Sequence, residues 1–144
     1  MNVTVLVDFE NDSVRTALEV AEALGDDLWG VRLDTSELLV DRSLWDEMGD
    51  FRPTGVNDKL VRKVREALDR AGHERVKIVV SGGFTPERIR EFERTGVPVD
   101  AYGVGSSLLR GDNDFTADIV MVDGKPCAKV GRSYRPNPRL ERVT

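Results

Sequence analysis

The chain has 144 residues, 33% of them charged and 40% hydrophobic, with a formal net charge of -5 and a pI near 5.0. That length suits one domain burying about 70% of its unfolded surface, and the acidic balance argues against nucleic-acid binding, which needs a basic face. A single cysteine, Cys127, excludes an intramolecular disulfide or a cysteine zinc site and fits a reducing cytoplasm, and the first eight residues are too short an apolar run for a signal peptide or membrane span.

Val3, Val5 and Val7 alternate in a β-branched run that predicts a buried strand ending at Asp8. Asn11 to Ser13 offer capping side chains for a helix whose face is Val14, Ala17, Leu18, Ala21 and Leu24, stopped by Gly25. A second strand is expected over Leu28–Leu33, with Trp29 in the core. The stretch from Asp34 to Pro53, with a helical turn near Ser43–Met48, is long for a connection and reads as functional, with Trp45 and Phe51 as loop anchors.

Asn57 caps the next expected helix, with Leu60, Val61, Val64, Ala67, Leu68 and Ala71 on its face and Gly72 after it. The lone histidine, His73, falls at that helix end and reads as a capping or surface residue. Val76–Val80 is the third strand; Thr85-Pro86-Glu87 opens a helix running to Arg94; and Val99–Gly103 is the fourth strand, followed by a short helix over Ser106–Leu109. Alternation of strand and helix implies parallel strands with right-handed crossovers. The rhythm then changes to a hairpin, Thr116–Val122 and Lys125–Val130 around Asp123-Gly124, and an extended exit at Pro136-Asn137-Pro138. Lys125, Lys129, Arg132, Arg135, Arg139 and Arg142 read as a solvated basic tail, with a phosphate-facing strip as the alternative.

Two glycine-rich segments close successive strands: Ser81-Gly82-Gly83, and Gly103-Val104-Gly105-Ser106. Each alone reads as a tight turn; together at strand-to-helix junctions they suit a phosphate held by backbone N–H groups. Neither fits a dinucleotide fingerprint, for Leu108 stands where the third glycine belongs, and no Gly-Lys-Ser/Thr occurs. Alternation also puts Arg32 and Asp34 on one strand face and Val31 and Leu33 on the other. This is either a structural ion pair or a substrate clamp, with arginine on an anionic ring or carboxylate and aspartate on a ribose or ring nitrogen.

Leu6-Val7-Asp8, Gly30 to Thr35, Lys77 to Gly83, Val99 to Leu108, Phe115 to Asp118, Ala128 to Arg132 and Pro136 to Glu141 together resemble the C-terminal part of nicotinate phosphoribosyltransferase. The resemblance implies a type II phosphoribosyltransferase of pyridine nucleotide and NAD biosynthesis. Such an enzyme, a cytoplasmic oligomer, joins nicotinate to 5-phosphoribosyl 1-diphosphate with ATP coupling and Mg2+. It assigns Arg32 and Asp34 to the ring and ribose, and Ser81, Gly82, Gly83, Gly103, Gly105 and Ser106 to the 5'-phosphate, with no certain catalytic residue.

The expected fold is α/β: about half of a (β/α)8 barrel of the TIM type over residues 1–111, then a β-hairpin and extended tail over 112–144. The expected partners are the missing N-terminal half or a second copy of the chain, with no nucleic acid and no membrane. The alternatives are a catalytically silent half-barrel that binds a phosphorylated ligand or self-associates, and a truncated gene product.

Overall fold

A computed structural model describes residues 3–105, 107–108, 117–136 and 138. The expectations for Ser106, Leu109, Thr116, Arg139 and Arg142 lie outside them. Strands β1 (Val3–Leu6), β2 (Leu28–Leu33), β3 (Lys77–Val80) and β4 (Ala101–Tyr102) form one sheet in the order β1-β2-β3-β4. Every neighbouring pair is parallel. Helices α1 (Ser13–Leu24), α2 (Asp58–Arg70) and α3 (Pro86–Arg94) make the crossovers, and β5 (Met121–Val122) and β6 (Lys125–Pro126) form an antiparallel hairpin. The chain therefore has an α/β fold with a parallel four-stranded sheet.

Strand parity decides what is buried. Val7, Val31, Leu33, Ile78 and Val80 belong to one core cluster with Ala17 and Ala21 of α1, Leu60, Val61, Val64 and Leu68 of α2, and Phe92 of α3. All three helices thus cover the same face, as right-handed crossovers between successive strands require. A fully buried Leu, Ile or Val contributes about 1.5–3 kcal/mol, so this face holds the fold together. The opposite face carries Thr4, Leu6, Arg32, Lys77 and Val79 and has no helical cover among the described residues; Thr4, Arg32 and Lys77 are exposed.

Helix starts follow their caps. Asp12 accepts from Arg15 N–H, Asn57 from Leu60 N–H and Thr85 from Arg88 N–H, with Pro86 in the first turn of α3. The long connection after β2 is tied down rather than loose. Its fully buried Asp41 accepts from Ser13 N–H and, at 2.6 Å, from Ser13 Oγ, which pins the connection to the start of α1. Val40 also bridges Thr54 antiparallel, and a short 3-10 turn spans Arg42–Glu47.

Four expectations are corrected. Trp29 is 37% exposed, because a register shift opposite Val3 and Thr4 turns Leu28 into the core in its place. The fourth strand pairs over Ala101–Tyr102 only, and the hairpin over Met121–Val122 and Lys125–Pro126 only. Lys129 is not part of a solvated basic strip, since its side chain is 17% exposed and turned onto the sheet.

Candidate functional site at the C-terminal end of the sheet

Register aligns Leu6, Arg32, Val79 and Ala101 as one row across the open face. Pairing continues beyond the strands, with Val7 N–H donating to Arg32 O, Ser81 N–H to Leu33 O and Gly103 N–H to Val80 O. Two residues further on, the same parity makes a second row of Asp8, Asp34, Ser81 and Gly103. The contacts agree: Ser81 Oγ donates to Asp34 Oδ1 at 2.8 Å, and a Cβ on Gly103 would meet Ser81 Cβ at 3.0 Å. Arg32 and Asp34 are thus on one face, as alternation predicts, but they do not pair. Arg32 is exposed, and its guanidinium makes no ion pair or hydrogen bond among the described residues.

The first glycine loop is open to a ligand. Gly82 and Gly83 have φ of +88° and +73°, a region side chains rarely adopt. Arg88 of α3 donates to the carbonyls of Gly82 and Val56, clamping the loop from the helix side. Because the peptide after Gly82 is trans, Gly83 N–H points away from Arg88. Among the described residues, the N–H groups of Gly82, Gly83 and Gly105 have no acceptor, while those of Ser81 and Gly103 are used in the sheet. Gly103 therefore packs closely against Ser81, whereas Gly83 offers a donor. Ser107 Oγ donates to Phe84 O at 3.0 Å, which ties the second glycine loop to the first.

The other end of the row is ionic. Asp8 is 1% exposed, and Lys129 from the segment after β6 reaches its Oδ2. The same ammonium donates to Asp34 O at 2.7 Å and lies 3.7 Å from Asp34 Oδ2. Val130 N–H donates to Phe9 O at 2.9 Å, so this part of the tail is fastened to the mouth of the sheet.

Sequence relatives show what the chain is similar to. The chain is 37% identical over 139 residues to the nicotinate phosphoribosyltransferase pncB1 of Mycobacterium tuberculosis, covering 94% of this chain and 26% of that protein. Its curated homologues are nicotinate phosphoribosyltransferases. The pncB2 enzyme of the same organism is 30% identical over 113 residues, covering 74% of this chain and 20% of that one. Among solved structures, the nicotinate-nucleotide pyrophosphorylase from Pyrococcus furiosus superposes with a TM-score of 0.59 at 39% identity, covering 94% of this chain and 31% of that one. No family model matches. The chain spans about a quarter of the length of the curated relatives it matches, 26% and 20%.

In this chain the geometry brings together Arg32, Asp34, Ser81, Gly82, Gly83 and Gly103 on one sheet face and its end. Ser106 lies outside the described residues. Two neighbours were not singled out as site residues from sequence: Asp8, although its parity with Leu6 is visible in the strand pattern, and Lys129, which carries no local signal. A cavity of about 590 Å³ adjoins the first glycine loop and is lined by Gly83 together with Glu37, Phe51, Arg52, Arg88 and Glu91. It holds none of the row-forming residues. No helix among the described residues is long and apolar enough to cross a membrane.

Burial raises the Asp8 carboxyl above its ordinary value of 3.8, and Lys129 opposes this without cancelling it. A raised acid is favourable when protonated, so its contribution to stability is full below 3.8 and is lost as pH rises through the folded value. Asp8→Asn keeps the neutral shape at all pH. Denaturant unfolding between about pH 3 and 7 is expected to show the variant gaining on the wild type as pH rises through that window; a constant difference would contradict the assignment.

Proposed function

We propose that this chain is the C-terminal, phosphate-gripping part of a nicotinate phosphoribosyltransferase, about half of a (β/α)8 barrel followed by a hairpin tail. The enzyme would form nicotinate mononucleotide and diphosphate from nicotinate and 5-phosphoribosyl 1-diphosphate in NAD salvage, in the cytoplasm. One observation carries the reading: the aligned row Asp8, Asp34, Ser81 and Gly103 is flanked by Gly82, Gly83 and Gly105, whose N–H groups have no acceptor among the described residues, with the Arg32 guanidinium, unpaired among those residues, one row below. In an open parallel sheet, ligands gather at the carboxyl ends of strands, and in a barrel the same end carries the catalytic loops. Strand order without reversal, helices on one face and an opposite face uncovered among the described residues support the barrel half over the doubly wound alternative.

In this reading Gly82, Gly83, Gly105 and Ser106 hold the 5'-phosphate, Asp34 and Ser81 face the ribose, and Arg32 meets the ring or its carboxylate. Transfer breaks the bond from C1' to the diphosphate oxygen and forms one to the ring nitrogen through an oxocarbenium-like sugar. Holding phosphate and ring at fixed separation keeps nucleophile and leaving group in line, and phosphate binding supplies remote energy for the distortion. These residues act by holding. Mg2+ and ATP enter the proposal through the resemblance. The described residues do not form a cage for Mg2+, since they hold no cluster of three or more metal-ligating side chains and Lys129 sits between Asp8 and Asp34. No step is assigned to either group.

The test is reconstitution. The chain is co-expressed with the complementary part of a matched relative, purified as a complex, and assayed for nicotinate mononucleotide formation. Turnover that requires both parts is the expected result. A chain that never associates, or a complex without turnover, would sink the split-enzyme reading. Formation of a self-closed dimer that binds nicotinate mononucleotide without turnover would favour the silent, self-associating half-barrel.

A further inference from the structure

A lysine from the tail sits inside the candidate site. We propose that Lys129 is a positioning residue for sugar recognition: anchored on the buried Asp8 carboxylate, its ammonium holds Asp34 as an acceptor for the hydroxyls of a ribosyl phosphate. This rests on the phosphate-site reading above.

The geometry assigns each group a task. Lys129 spans 95 residues of sequence to reach Asp34 O at 2.7 Å, and its side chain is 17% exposed. An ammonium has three donor hydrogens and no acceptor; here it donates to Asp34 O, forms an ion pair with Asp8 Oδ2, and lies 3.7 Å from Asp34 Oδ2. Neither Asp8 carboxyl oxygen has a hydrogen-bond partner among the described residues, although the side chain is buried and Oδ2 is ion-paired to Lys129. A buried carboxylate so poorly satisfied costs stability, which a purely structural tail clasp does not require. On the other side, Ser81 Oγ fixes Asp34 Oδ1 at 2.8 Å. Asp34 is therefore oriented from two directions, by β3 and by the tail, while its side chain stays 34% exposed. A carboxylate accepts at about four positions, so it retains capacity for a vicinal diol. The glycine N–H groups further along the sheet end, at Gly82 and Gly83, are then available to the phosphate of the same molecule.

The experiment is calorimetric titration of the full chain with ribose 5-phosphate and with 2-deoxyribose 5-phosphate. Wild type is expected to prefer the ribose by about tenfold, the worth of one hydrogen bond to a charged acceptor. Lys129→Met is expected to bring the ratio close to one while leaving the deoxyribose affinity within about twofold. If that variant fails to fold by circular dichroism, Lys129→Gln, which keeps the stem without the charge, is read the same way. An unchanged ratio in a folded variant overturns the inference and leaves Lys129 as a tail clasp. Wild type binding both sugars equally also overturns it, with the phosphate site intact. Binding of neither overturns the phosphate-site reading and this inference together.

Discussion

Gly83→Val is expected to weaken binding of nicotinate mononucleotide at least about a hundredfold while the chain still folds. Two backbone N–H groups of this loop are available to the phosphate, and a hydrogen bond to a charged group is worth about 1.5–3 kcal/mol. Losing both therefore costs at least about two decades of affinity. Valine acts in two ways. Residue 83 sits at φ of +73°, which a β-branched side chain does not hold, and its Cβ would lie 3.1 Å from Glu37 Oε1. Glu37 is exposed and can swing aside, so the backbone conformation is the larger effect. The strain is about 1–3 kcal/mol, against a total of about 5–15 kcal/mol for a domain, and the residue is outside the core cluster. Calorimetry gives the affinity and circular dichroism the fold. A folded variant that binds like wild type would remove the first glycine loop from the site.

Arg32→Ala is expected to separate the ring from the phosphate. The guanidinium has no ion pair among the described residues, so its removal strands no buried partner, and its neighbours in the row are Leu6 and Val79. A fork of N–H donors matches a carboxylate bidentately. Its loss should lower affinity for nicotinate mononucleotide about a hundredfold, for about 3 kcal/mol of charged hydrogen bonds. Affinity for ribose 5-phosphate, which has no ring, should stay within about twofold. A parallel fall for both ligands would assign Arg32 to the phosphate, and no change for either would return it to a bare surface cation.

Much of this arrangement is legible in sequence because local rules govern it. The caps at Asn57 and Thr85 and the proline at 86 place α2 and α3, and the alternation in β2 sends Val31 and Leu33 to the helices and Arg32 to the open face. Glycine pairs at strand ends mark the loops. What escapes local rules depends on register or on distant contact. Trp29 shares parity with Val31, yet the shift opposite Val3 and Thr4 exposes it. Asp41 reads as one more loop carboxylate, and only folding shows it buried against Ser13. Lys129 looks like a member of a basic tail. Its place between Asp8 and Asp34 follows from docking of the tail on the sheet mouth, marked by Val130 N–H on Phe9 O.

The central claim is that a sugar phosphate sits on the two glycine loops at the carboxyl end of the sheet. Amide chemical shifts of the nitrogen-15-labelled chain, followed during titration with nicotinate mononucleotide, test it most directly. The account predicts the largest movements at Gly82, Gly83 and Gly105, with smaller ones at Ser81 and Gly103, whose N–H groups are already bonded in the sheet. Movements confined to Glu91, Phe92 and Thr95 around the cavity adjoining the loop, or none at the glycines, would contradict it.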